Sequence, residues 1–317
     1  MHVERGAVAG AMAALLASAT LLGAAPTAAQ STPTPAGACI VASSSAATPE
    51  ASATISIASP TPASLPLASP QATPLAPTAT LATEVTETAE QVAACLSEND
   101  SAAVVQLASE RYLGQLFGSS VPLSVDDFIS ISQSISPTPM RIVSVEDVTQ
   151  TGNDRATAMV TYVVGNQLFN ATWTFSRGEG AIPWVLESEQ RVPTPDPAGA
   201  ATITVTINSN LSYKVTPATV ERRDVVLEGE NRDDIDHEML VLKLAPGFST
   251  EDLLKAVGPD LPPQAVWVGE MPVVEGKAAN LVLVDLEPGT YTIVCLFPDD
   301  EGVPHLAQGM SATFTVK

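Results

Sequence analysis

The chain has 317 residues, with 14 Lys and Arg against 35 Asp and Glu, a formal charge of −21, and only three cysteines and three histidines. That length accommodates about two domains after processing. The charge excludes nucleic acid as a partner, because phosphate recognition needs clustered Lys and Arg, and it disfavours anionic membranes while suiting a basic protein partner.

Residues 1–30 read as an export signal. "MHVER" precedes the apolar run "GAVAGAMAALLASATLLGAA", and small residues around "PTAAQS" suit cleavage near Ala28 to Gln30. No later segment is apolar enough to span a bilayer, so the mature chain is expected to be secreted or cell-surface. Residues 31–83 are rich in Pro, Ser, Thr and Ala without helical or strand period, which predicts a disordered spacer. The apolar island "GACIVA" interrupts it at Cys39. Outside the cell, three cysteines imply one disulfide and a spare thiol. Cys39 with Cys95 is the expected pair, pinning the island to the first domain; two separate thiols are the alternative.

Residues 84–193 are expected to form one α+β domain. "VTETAEQVAACLSEND" and "SAAVVQLASERYLGQLF" carry helical spacing, and "SVDDFISISQ" opens with Ser124 and Asp127 like a capping box. Four strand-like runs follow, "MRIVSVEDVTQ", "RATAMVTYVVG", "QLFNATWTFS" and "PWVLESEQRV", with turns between them. Helices first and a curved antiparallel sheet after, with "CLSEND" leading into "LASERYL", resembles the nuclear-transport-factor-2-like (NTF2-like) cone fold. Tyr162, Phe169, Trp173 and Trp184 are expected to be core or to line a cavity in it. The Pro-rich linker 194–200 leads to residues 201–317, where "ATITVTIN", "DVVLEGEN", "HEMLVLKL", "AANLVLVDL", "GTYTIVCLF" and "SATFTVK" predict an all-β sandwich. "STEDLLKAV", with Ser249 as N-cap and Asp252 three residues on, predicts a short helix among them.

The last domain carries four features in a familiar order. A strand ends at Asn231, His237 opens "HEMLVLKL", "LEPGTYTIVC" ends at Cys295, and "PHLAQGM" precedes the closing strand. This resembles the cupredoxin (plastocyanin/azurin-like) superfamily, with an insertion between the two halves of the site. The resemblance implies a Greek-key sandwich holding copper for electron transfer. It makes His237, Cys295 and His305 the equatorial ligands and Met310 the axial one. Once His2 leaves with the signal, His237 and His305 are all the histidine that remains, and Cys295 is the spare thiol.

Two departures from the family pattern stand beside this. Nine residues, "LFPDDEGVP", separate Cys295 from His305, where electron-transfer cupredoxins place the second His only a few residues beyond the Cys. The gap is either a hairpin turning at "DDEG" or the mark of a sandwich without copper. Glu238 stands where many blue-copper proteins carry Asn, which removes a hydrogen-bonding brace. A metal-free binding or structural module, recognising a small ligand or another protein, therefore stays open, as does a Cu(I) carrier. Asp233, Asp234 and Asp236 are expected to form an acidic rim for a basic redox partner. No Ser/His/Asp set, phosphate loop or zinc spacing occurs, and residues 84–193 hold no histidine, so an enzyme is not expected. Oligomeric state is not legible.

Overall fold

A computed structural model describes Cys39 and residues 79–178, 182–256 and 261–317. The expected signal and, apart from Cys39 and the residues from Ala79 on, the expected spacer lie outside the described residues. No described helix is long and apolar enough to cross a membrane.

Helix α1 (Ala79–Ser97) begins within the stretch expected to be spacer. Leu81 joins the core there, and Val85, Ala89 and Val92 recur at helical spacing, all fully buried. The segment expected as a second helix is two, α2 (Ser101–Leu107) and α3 (Glu110–Leu116). Between them Ala108 is extended and bridges Leu186, while Ser109 caps α3 by accepting the Tyr112 N–H. The local cap and the strand bridge together outweigh continuous helical propensity. Helix α4 (Val125–Ser132) starts at Ser124, whose hydroxyl accepts the Asp127 N–H at 3.2 Å, as its capping pattern predicts. Strands β1 (Met140–Thr151), β2 (Arg155–Val164), β3 (Gln167–Arg177) and β4 (Trp184–Val192) then pair antiparallel in succession. Trp173 and Trp184 are fully buried, and Tyr162 stacks on Phe169. Cys39 and Cys95 form the expected disulfide. Closing a loop with a sequence separation of 56 stabilises by roughly 4 kcal/mol in the chain-entropy model.

The remainder is mostly β-sheet, consistent with the cupredoxin-like sandwich expected of it. Its strands are β5 (Ala201–Asn208), β6 (Ser212–Thr216), β7 (Thr219–Val220), β8 (Val225–Asn231) and β9 (His237–Leu244). Helix α5 (Thr250–Ala256) precedes β10 (Ala265–Val273), β11 (Ala278–Leu283), β12 (Gly289–Val294) and β13 (Ser311–Val316). One layer runs β11-β8-β5-β6 and the other β10-β9-β12-β13-β7, with β5–β8 and β7–β13 parallel. Ile203, Val205 and Ile207 of the first layer meet Met239, Val241, Ile293 and Phe314 of the second in one buried core. Strand β10 is not among the runs expected from the sequence, and it contains Gly269 and Pro272, residues that weaken a strand pattern. It lies at the edge of its sheet, with a bulge before Gly269, and an edge tolerates both.

The two halves share a sheet. Leu283 of β11 pairs with Gln167 of β3, and the buried Gln167 amide bonds both the N–H and the C=O of Glu270 at 2.9 Å.

Candidate metal centre

His237 is the first residue of β9 and points into the sandwich core, on the face shared by Met239 and Val241. Its position is fixed by the turn before it. Asn231 is buried at the end of β8 and its amide donates to the carbonyls of Ile235 and Val273 at 2.8 and 3.0 Å. Its side-chain oxygen accepts the Asp233 N–H at 2.9 Å. Asp233 is thereby turned inward, 7% exposed, and its Oδ2 lies 3.1 Å from His237 Nε2.

Cys295 follows the last residue of β12 and continues its inward face, fully buried with Tyr291 and Ile293. The nine residues that follow form a hairpin. Pro298 and Pro304 bridge, Asp299 N–H donates to Val303 O at 2.9 Å, and His305 N–H donates to Phe297 O at 2.9 Å. The Asp299 carboxylate organises the tip, accepting the N–H groups of Glu301 and Val303 at 2.9 Å and the Gln308 amide at 2.7 Å. Those bonds hold its carboxyl below the usual range. A 3-10 turn, His305–Gln308, closes on Gly309 in the left-handed region, with φ of 96°. Leu306 N–H donates to Cys295 O at 2.8 Å, folding the turn back against the cysteine.

Cys295 Sγ therefore lies 3.4 Å from His305 Nδ1 and 3.9 Å from His237 Nδ1, and the two Nδ1 atoms are 3.1 Å apart. All three residues are buried, at 0–2% exposure. Metal bonds of about 2.0–2.1 Å to nitrogen and about 2.3 Å to sulfur give donor–donor edges of roughly 3.5–3.8 Å in a three-coordinate centre. The observed triangle fits such an ion with small adjustments. Two imidazoles and a thiolate are also the equatorial donor set of a blue-copper site. Met310 is fully buried in the same core cluster as Cys295. Its N–H donates to His305 O at 3.0 Å and its C=O accepts the Cys295 N–H at 3.4 Å, so its backbone is tied to both.

The proton inventory follows from the partners. Asp233 can only accept from His237 Nε2–H, and in the neutral imidazole that tautomer keeps the lone pair on Nδ1. His305 Nε2 is the buried side-chain nitrogen or oxygen without a partner among the described residues. Burial, with His237 beside it, lowers the His305 pKa. Burial pushes the Cys295 thiol up to about 11. For Asp233 burial acts upward, but the hydrogen bonds from Asp234 and His237 hold it below its ordinary range.

Three neighbours of the site differ from the sequence expectation or are missed by it. Asp233 is not part of an exposed rim; only Asp234 and Asp236 are exposed. Glu238 does not remove a brace. Its Oε1 accepts the Leu296 N–H at 2.6 Å, tying the strand of His237 to the residue after Cys295. Tyr213, on β6, reaches across the sandwich and its buried hydroxyl donates to Glu238 O. The signal for Tyr213 is only strand alternation, which gives burial but not its partner.

No protein-family model and no curated protein matches the sequence. Among solved structures the chain is similar to reduced auracyanin from the photosynthetic bacterium Roseiflexus castenholzii, at 24% identity over 38% of this chain and 99% of that one, with a TM-score of 0.29. It is similar to auracyanin A, a "blue" copper protein of Chloroflexus aurantiacus, at 20% identity over 38% of this chain and all of that one, with a TM-score of 0.29. McoA multicopper oxidase from Aquifex aeolicus is similar at 12% identity, over 57% of this chain and 50% of that one, with a TM-score of 0.26.

Proposed function

We propose that residues 201–317 bind one copper ion through His237, Cys295 and His305, with Met310 as a weak axial ligand, and carry single electrons. The observation that supports this most is the convergence of the sulfur and both Nδ1 atoms within 3.9 Å, on three buried residues. Copper so bound would supply a one-electron couple held in one geometry by soft and borderline donors. The protein holds the donors in place through the Asn231 turn and the Asp299 hairpin, and keeps water from them by burial. The hairpin accounts for the nine-residue gap without loss of the donor set.

The wider setting is part of the same proposal. The chain is exported, residues 84–193 form an NTF2-like cone, and the redox partner is basic. Exposed Ile235, Val274 and Val303, on segments flanking the ligand residues, and the exposed acids Asp234, Asp236, Asp300 and Glu301 suit such a partner.

The test is Cu(II) added to the reduced full chain. The expected result is one equivalent bound, with an intense thiolate-to-copper absorption band that Cys295→Ser abolishes. A wild-type protein that binds no copper, or one whose band survives Cys295→Ser, would overturn the proposal.

A further inference from the structure

The two imidazoles at the centre are braced differently. His305 Nε2 has no partner among the described residues, whereas His237 Nε2 faces a carboxylate that is itself held in place. Asp233 divides its oxygens: Oδ1 accepts the Asp234 N–H at 2.8 Å, and Oδ2 takes His237. The backbone N–H of Asp233 is in turn anchored on Asn231 at 2.9 Å. The side chain is 4% exposed and the imidazole fully buried, so little solvent screens the carboxylate. The exposed Asp234 and Asp236 of the same turn can be screened by water and salt.

We infer that Asp233 is the positioning residue of the centre, fixing His237 as an Nδ1 donor and favouring the more highly charged state of the bound metal. The inference rests on the copper reading above. Accepting Nε2–H permits one neutral tautomer, the one whose Nδ1 lone pair faces Cys295 and His305. The buried negative charge acts along the same imidazole. Being buried it is screened less than an exposed counter-charge, and it would stabilise Cu(II) more than Cu(I) because the ion carries one more positive charge. A carboxylate here therefore lowers the reduction potential. A purely structural role would weaken both oxidation states alike.

The test measures Cu(I) and Cu(II) affinities separately by chelator competition, and the reduction potential, for wild type, Asp233→Ala and Asp236→Ala. Asp233→Ala is expected to lose at least tenfold more affinity for Cu(II) than for Cu(I). A tenfold differential corresponds to about 59 mV upward in potential for a one-electron couple. Asp236→Ala, which removes an exposed carboxylate from the same turn, is expected to shift the potential much less. Equal losses for both ions in Asp233→Ala, or an equal shift in Asp236→Ala, would overturn the inference while leaving copper binding intact. Failure of wild type to bind copper would instead overturn the function proposed above. Should Asp233→Ala not fold, proton NMR of Cu(I)-loaded wild type decides. A His237 Nε2–H resonance protected from solvent exchange is expected, and its absence would refute the brace.

Discussion

Glu238 shows how one side chain ties stability to the site. It is buried on the face of β9 opposite His237, and its Oε1 accepts the Leu296 N–H at 2.6 Å. Burial pushes its carboxyl up to about 8, with Glu270 adding to the effect. The folded chain thus keeps a proton that the unfolded chain gives up in the ordinary Glu range. Its contribution to stability is full below that range and is lost as the pH rises towards about 8. The thermal midpoint of the wild type is expected to fall over this interval. Glu238→Gln, which keeps an acceptor for Leu296, should make the decline shallower; an unchanged slope would mean that Glu238 is ionised throughout. At this scale the sequence was only partly legible. His237, Cys295 and His305 stood out because this chain has so few residues of those types. Asp233 could not be sorted from Asp234 and Asp236, and Glu238 reads as a lost brace, because both roles depend on which way each side chain turns.

The decisive element is the segment from Cys295 to Met310. Its composition identified a turn at "DDEG", but a turn signal does not say where the chain returns. The return is set by pairings distant in sequence or hidden in it: Pro298 with Pro304, Gln308 with Asp299, and Leu306 packed among Leu240, Leu242 and Leu253. Gly309 makes the exit possible, since its φ of 96° is one that a Cβ disfavours. Gly309→Ala is expected to cost about 1–2 kcal/mol of stability from the left-handed conformation. It should also weaken copper binding, because the same residue joins His305 to Met310. Denaturant melts and metal titration of the variant check both effects. Stability equal to wild type would show that the turn ends differently. Strand β10 and the break between α2 and α3 escaped the sequence for a related reason. An edge position excuses Gly and Pro, and a cap with a strand bridge interrupts a helix, and both are tertiary circumstances.

For the whole molecule, the charge of −21 predicts how partners arrive. Electron exchange with a basic redox protein, such as a lysine-rich cytochrome c, is expected to slow as ionic strength rises, and stopped-flow rates across a salt series measure this. Rates indifferent to salt would remove the basic partner from the proposal. The halves of the chain are joined more closely than a Pro-rich linker suggests, because the Gln167 amide spans to Glu270 and Asn166 exchanges bonds with Val284. Nothing in local pattern announces that seam, since Gln167 is an ordinary polar residue until another strand lies beside it. The sequence by itself determined the helices at α1 and α4, the alternating strands of the sandwich and the supply of soft and imidazole donors, and it offered Cys39 with Cys95 as one of two readings that the structure decides. These follow from periodicity, capping and composition, which act over a few residues or by simple count. Only the tertiary structure decided that three donors meet, that the long loop closes as a hairpin, and that one aspartate of three turns inward. The meeting of the donors is settled by packing between segments far apart in the chain, whereas the hairpin and the inward aspartate rest on hydrogen bonds a few residues apart whose direction composition does not show.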